Sequence, residues 1–137
     1  MAPMSAHEES DVIAYTSASD LRAAFLRGEI SPVEVASILL DRIAALDGSI
    51  NAIVHSERAV VLDMAAASEK RYRRGATLSA LDGIPVTVKD LVAVAGRPFR
   101  RGSLARPKDF ISTEDAPCVA RLREAGAVIL AKTATPE

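Results

Sequence analysis

Between Asp82 and Ala131 the chain reads strand, loop, helix, strand, and no other feature constrains its fold as much. Asp82-Gly83 is a turn signal, Pro85 suits only the first residue or an edge of a strand, and Val86-Thr87-Val88 is β-branched throughout. A strand therefore ends on Lys89. Ala95 to Phe110 is a loop by composition, broken by Gly96, Pro98, Gly102 and Pro107. Asp115 can then cap a helix through about Ala125, with Val119 and Leu122 inward and Gly126 as its stop. Ala127 to Ala131 makes a second strand. Two strands joined this way should be parallel, through a right-handed crossover, which sets the class as α/β. A parallel pair needs helices on both faces and further neighbouring strands, so what is written here is the start of a sheet.

The upstream half supplies helices. Ser17 with Asp20 three residues on resembles a capping box, and Leu21, Ala24 and Phe25 share one face before Gly28, predicting a helix over 18–27. Ser31-Pro32-Val33-Glu34 is a stronger start, with an N-cap serine, a first-turn proline and a carboxylate at the third position. Val35, Leu39, Ile43 and Leu46 then form an apolar stripe until Asp47-Gly48, where the helix is expected to stop. Asn51 to Val54 is a short extended run. A third helix is expected from Glu57 to Arg74. Its last turn carries Lys70, Arg71, Arg73 and Arg74, which complement the helix dipole and read as a solvated end rather than a phosphate patch.

Residues 1–16 are expected to be a flexible tail, because Glu8, Glu9 and Asp11 stand where a signal peptide would be basic and then apolar. Seventeen basic against eighteen acidic residues leave a net charge of −1, so no global field favours nucleic acid or an anionic membrane. The one local exception is the loop with Arg97, Arg100, Arg101, Arg106 and Lys108. It has only Phe99 and Phe110 to stack on bases, and is read as a solvated or subunit-facing loop rather than an RNA site. No uncharged apolar run nears the roughly 20 residues a bilayer span needs, so no membrane partner is expected. Cys118 is the only cysteine and forms no internal disulfide; with His7 and His55 it makes no metal-ligand spacing. A reducing, cytoplasmic setting follows, with no metal and no cofactor expected.

The chemistry is chiefly a matter of two lysines. There is no glycine-rich nucleotide loop, no GxSxG, no HExxH and no CxxC. Lys89 and Lys132 each close a predicted strand, and either could serve as a base if burial lowered its pKa, or could be a solvated terminator. Residue physics alone does not choose between them.

A resemblance does. Leu81 to Asp90, then Gly102-Ser103, then Asp115 and the run from Arg121 to Thr133 resemble the amidase signature family. Gly28 to Glu34, Arg42-Ile43 and Asn51 to Val54 are similar to the helical lead-in of that family. The resemblance spans about Ser17 to Glu137. It implies hydrolysis of carbon–nitrogen amide bonds by a Ser, cis-Ser, Lys triad in a single α/β domain, in which N-terminal helices precede a mixed sheet covered by helices. By that resemblance Lys89 matches the catalytic lysine, whereas Lys132 lies outside the triad, so that Lys132→Ala should leave much activity. A serine hydroxyl needs a base to take its proton, and a neutral lysine can do so when desolvated, which arginine cannot.

The resemblance also implies that both serines belong to a Gly/Ser-rich stretch following the Thr135-Pro136-Glu137 region. Ser79, Ser103 and Ser112 lack the glycine neighbours of an oxyanion hole. Residues 17–137 are accordingly expected to be the N-terminal part of one amidase domain, inactive alone. The expected partner is a small amide, and a homo-oligomer is allowed; substrate-binding residues are not legible. Two other readings compete: the glutaminase subunit of a tRNA-dependent amidotransferase, and a non-catalytic remnant.

Overall fold

The computed structural model describes residues 6–107 and 109–135, with side chains from Ser10 onward. Where a flexible tail was expected over 1–16, Ala6–Tyr15 forms helix α1. Ile13 packs against the cluster of Leu21, Phe25, Val35 and Ile84, and Arg42 reaches Ser10 and Asp11, so the segment has both an apolar seat and a polar tie. The remainder of that expectation, Met1 to Ser5, lies outside the described residues.

Helix α2, Ala18–Arg27, starts at Ser17, whose hydroxyl oxygen accepts the Asp20 N–H, and ends on Gly28 in the left-handed region. Only half of the expected capping box forms, because Asp20 takes the Ser17 hydroxyl at 2.6 Å with its shorter side chain. Helix α3, Pro32–Ile50, has the whole box: Glu34 N–H donates to Ser31 Oγ, and Ser31 N–H to Glu34 Oε2. It runs past the expected stop at Asp47-Gly48. Asp47 Oδ1 instead accepts the Ala52 and Ile53 N–H groups beyond the end, and Asn51 turns left-handed to close the helix.

Strand β1, Ile53–His55, leads to α4, Arg58–Arg73. Strand β2 is Pro85–Lys89, α5 is Pro117–Glu124 and β3 is Val128–Thr133. The sheet order is β1-β3-β2, with β2 parallel and β1 antiparallel to the central β3. The expected parallel pairing is observed, from Pro85 opposite Val128 to Lys89 opposite Thr133. Ala36 and Leu40 of α3 and Val61 and Ala65 of α4 pack on Val128 and Leu130 from one side. Val94 and Val119 meet Val88 and Ile129 from the other. This two-sided burial is why β3 is apolar at every position but its last two.

Asp115 does not cap α5 as expected. Ala116 holds that position without a side-chain bond, while Asp115 accepts Ala95 N–H at 2.7 Å and Arg123 Nε at 2.7 Å, tying the preceding loop to the helix. The loop folds back on itself: Gly96 N–H donates to Ser112 O, and Phe99 N–H to Phe110 O. Part of its basic character is spent within the fold. Arg106 lies over the Phe99 and Phe110 rings, and Arg97, 3 % exposed, donates to Ile129 O. Arg97 is thus part of the interior and not of a solvated patch; Lys108 lies outside the described residues.

Candidate functional site

At the strand ends the backbone alternates. Val88 is buried, Lys89 is exposed and Asp90 is buried again, so Lys89 projects from a rim whose neighbours on both sides point inward. Its ammonium makes no hydrogen bond or ion pair among the described residues. The strand turns immediately afterwards, with Val92 N–H donating to Lys89 O at 2.9 Å.

The two lysines that looked alike in sequence occupy opposite environments. Lys132 is not a solvated terminator, because β3 continues two residues beyond its expected end and carries Lys132 inside the fold with no exposed surface. Its Nζ donates to Pro98 O at 2.7 Å, lies 2.7 Å from Asp90 Oδ1 and sits 4.9 Å from the centre of the Phe99 ring. The approach to Asp90 is short but too oblique for a well-formed hydrogen bond, so charge carries it. Asp90 Oδ2 accepts Gly102 N–H at 3.3 Å, and Asp90 N–H donates to Thr133 O at 2.9 Å. One further polar group, His55, lies in this part of the fold. His55 is paired with Lys132 across the sheet, and burial followed by the nearby Arg97 cation lowers its pKa.

The opposite end of β2 is held by Asp82, which is fully buried. Burial alone would raise its carboxyl, yet bonds from Arg71 (2.7 and 2.8 Å), Ser68 (2.6 Å) and Leu78 N–H (2.8 Å) hold it below the ordinary carboxylate range. Tyr72 OH donates to the Asp82 carbonyl at 2.9 Å. The close approach is possible because two glycines flank it. Gly83 N–H donates to Gly126 O at 3.0 Å, and a Cβ on Gly126 would lie 2.6 Å from Asp82 Oδ1. Arg71, read in sequence as part of a solvated helix end, is therefore a structural clamp. No spacing announces the contact, since α4 and the turn meet only in the fold.

The other candidate hydroxyls are committed elsewhere. Ser79 donates to Ala125 O, Ser112 to Glu114 O, and Ser103 accepts Ala105 N–H. Cys118 is exposed in the first turn of α5. Among the described residues no group of three or more His, Cys, Asp or Glu could hold a metal ion, and no helix is long and apolar enough to cross a membrane.

A family model described as Amidase matches residues 34–137. The chain is similar to an indoleacetamide hydrolase of Bradyrhizobium diazoefficiens, 40% identical over 121 residues, covering 88% of this chain and 23% of the relative. It is also similar to a glutamyl-tRNA(Gln) amidotransferase subunit of Salinispora tropica, 40% identical over 117 residues, covering 85% and 24%. Among solved structures, the native peptide amidase from Stenotrophomonas maltophilia superposes with a TM-score of 0.81 at 36% identity, over 88% of this chain and 25% of the other. The chain thus spans about a quarter of the length of the relatives it matches.

Proposed function

Because this chain belongs to the amidase family, we propose that its rim serves amide-bond hydrolysis, with Lys89 as the proton-accepting base. The observation that carries the reading is the exposed Lys89 between two inward-facing neighbours at the C-terminal end of a parallel strand. That is the edge of an α/β sheet where reactive groups are displayed. In its neutral form the amine takes the proton of a serine hydroxyl through a bridging serine, and so makes the hydroxyl a nucleophile toward an amide carbonyl. Both serines belong, on this reading, to the remaining three quarters of the relatives' length. The substrate is a small amide, and the protein works in the reducing cytoplasm, where Cys118 stays a thiol.

The match to an amidotransferase component supports a second reading, release of ammonia from glutamine on behalf of a partner protein. Both readings use the same base. They separate on substrate, since the first requires turnover of simple amides without a partner.

The test has two arms. The chain alone, incubated with indoleacetamide, benzamide and glutamine, should release no ammonia. A chimera carrying this chain in place of the matching quarter of the indoleacetamide hydrolase should hydrolyse indoleacetamide, and Lys89→Ala should lower its turnover by about 10³-fold or more. A chimera whose activity survives Lys89→Ala removes Lys89 from the mechanism. One that folds and never turns over favours a non-catalytic remnant.

A further inference from the structure

We propose that Lys132 is a positioning residue for Lys89, acting through Asp90 to fix the turn from which Lys89 projects; the inference rests on the reading of Lys89 as the base.

A buried lysine needs partners that a methionine of similar volume would not. Removing an ammonium from water is costly unless it is paired and hydrogen-bonded, and nothing about ending a strand requires one. Lys132 uses one hydrogen bond, one ion pair and one ring contact to join three segments that are separate in sequence. These are β3 itself, the turn after β2 through Asp90, and the 95–110 loop through Pro98 O and the Phe99 face. Asp90 then passes the restraint on, since its second carboxylate oxygen accepts Gly102 N–H from the same loop.

The restraints fall on the backbone of Lys89 and of its two neighbours. Val88 stands opposite Lys132 in the ladder, Asp90 N–H is bound to Thr133 O, and Lys89 O is closed by Val92 N–H. The backbone on both sides of Lys89 is therefore fixed while its side chain makes no tie of its own. A base must meet its proton donor within a few tenths of an ångström, and a misplacement near 1 Å can cost about 10²-fold in rate. Lys132 with Asp90 also forms a neutral pair, so fixing the turn brings no uncompensated charge beneath Lys89.

The test uses the chain itself, by amide hydrogen exchange. In Lys132→Met, protection at Asp90 and Gly102 should fall about tenfold or more relative to Leu40 and Ala65 in the α3–α4 core. Should that variant fail to fold, the double variant Asp90→Leu with Lys132→Met refills the volume without charge. It should regain core protection while the turn at position 90 stays loose, seen at Val92 and Gly102. Unchanged rim protection, or a uniform loss that the double variant fully restores, would overturn the proposal by reducing the pair to packing.

In the chimera with the indoleacetamide hydrolase, the double variant should lower kcat about tenfold or more with KM within about twofold. Unchanged kcat with a loosened rim overturns the positioning role. A loosened rim together with an active Lys89→Ala chimera would instead sink the base reading and leave the tie intact.

Discussion

The β2–β3 pair is held at each end by a buried aspartate beside the strand, and the two ends differ in what they leave outside. At the N-terminal end, Asp82 takes four side-chain or backbone donors from α4 and the adjoining turn, and the glycines around it bring backbone into contact. At the C-terminal end, Asp90 takes Lys132 and Gly102, and the residue next to it is exposed. One end is closed on every side; the other is closed on one side only and displays an amine on the other. A carboxylate removed from water anchors the sheet in both cases, hydrogen-bonded at both oxygens in the first and held by charge at Oδ1 and a Gly102 bond at Oδ2 in the second, where it sets up a candidate site.

If the N-terminal end is the structural anchor, Asp82→Ala should destabilise the chain by about 4 kcal/mol, because it leaves Arg71, Ser68 and Leu78 N–H without their acceptor. Urea unfolding measures it, and a loss below about 1 kcal/mol would place the anchor elsewhere. Lys132→Ala should follow at about 3 kcal/mol, from the charge left on buried Asp90. Gly126→Ala should lose about 2 kcal/mol, combining a φ of +84° with the contact against Asp82.

The two ends should also separate by pH. His55 has its pKa lowered in the folded state from the ordinary 6.5, so the unfolded chain binds its proton more readily. Its contribution is present above that value and is lost as pH falls through it. Arg97 and Lys132 oppose the imidazolium, while Glu57 favours it. Asp82, lowered from 3.8, should begin to lose its contribution only once pH falls below about 4. Stability should therefore drop modestly between about pH 7.5 and 5.5, and His55→Phe should flatten that interval, as thermal melts across the range would reveal. The smallest effect belongs to Lys89→Ala, expected within about 0.5 kcal/mol of the parent because the side chain is exposed and untied. A larger loss would mean that Lys89 is part of the scaffold.

Local signals were legible where one residue type answers one local need. Ser31 with Glu34, Gly28 and Gly126 marked helix ends, and Val86 to Val88 and Val128 to Leu130 marked strands. What was not legible depended on contacts across the fold. Asp47 looked like a helix stop but reaches forward to Ala52 and Ile53, and Asp115 looked like a cap but turns back to Ala95. Lys89 and Lys132 had the same local setting, and only the loop carrying Pro98 and Phe99 distinguishes them. The resemblance assigns them different roles, and burial is the physical difference the fold gives them.

The central strand of the sheet is the last of the three in the chain. Its contacts with β2 and β1 close loops of about 40 and 80 residues, Pro85 to Val128 and Ile53 to Thr133, whereas α3 and α4 meet across a short connection. During synthesis the helical half can pack as soon as it emerges, but β1 and β2 have no partner until residues 128–133 follow. Until then both strands wait with this pairing unmade, and the late arrival of β3 joins them, buries Lys132 and sets Lys89 on its rim together.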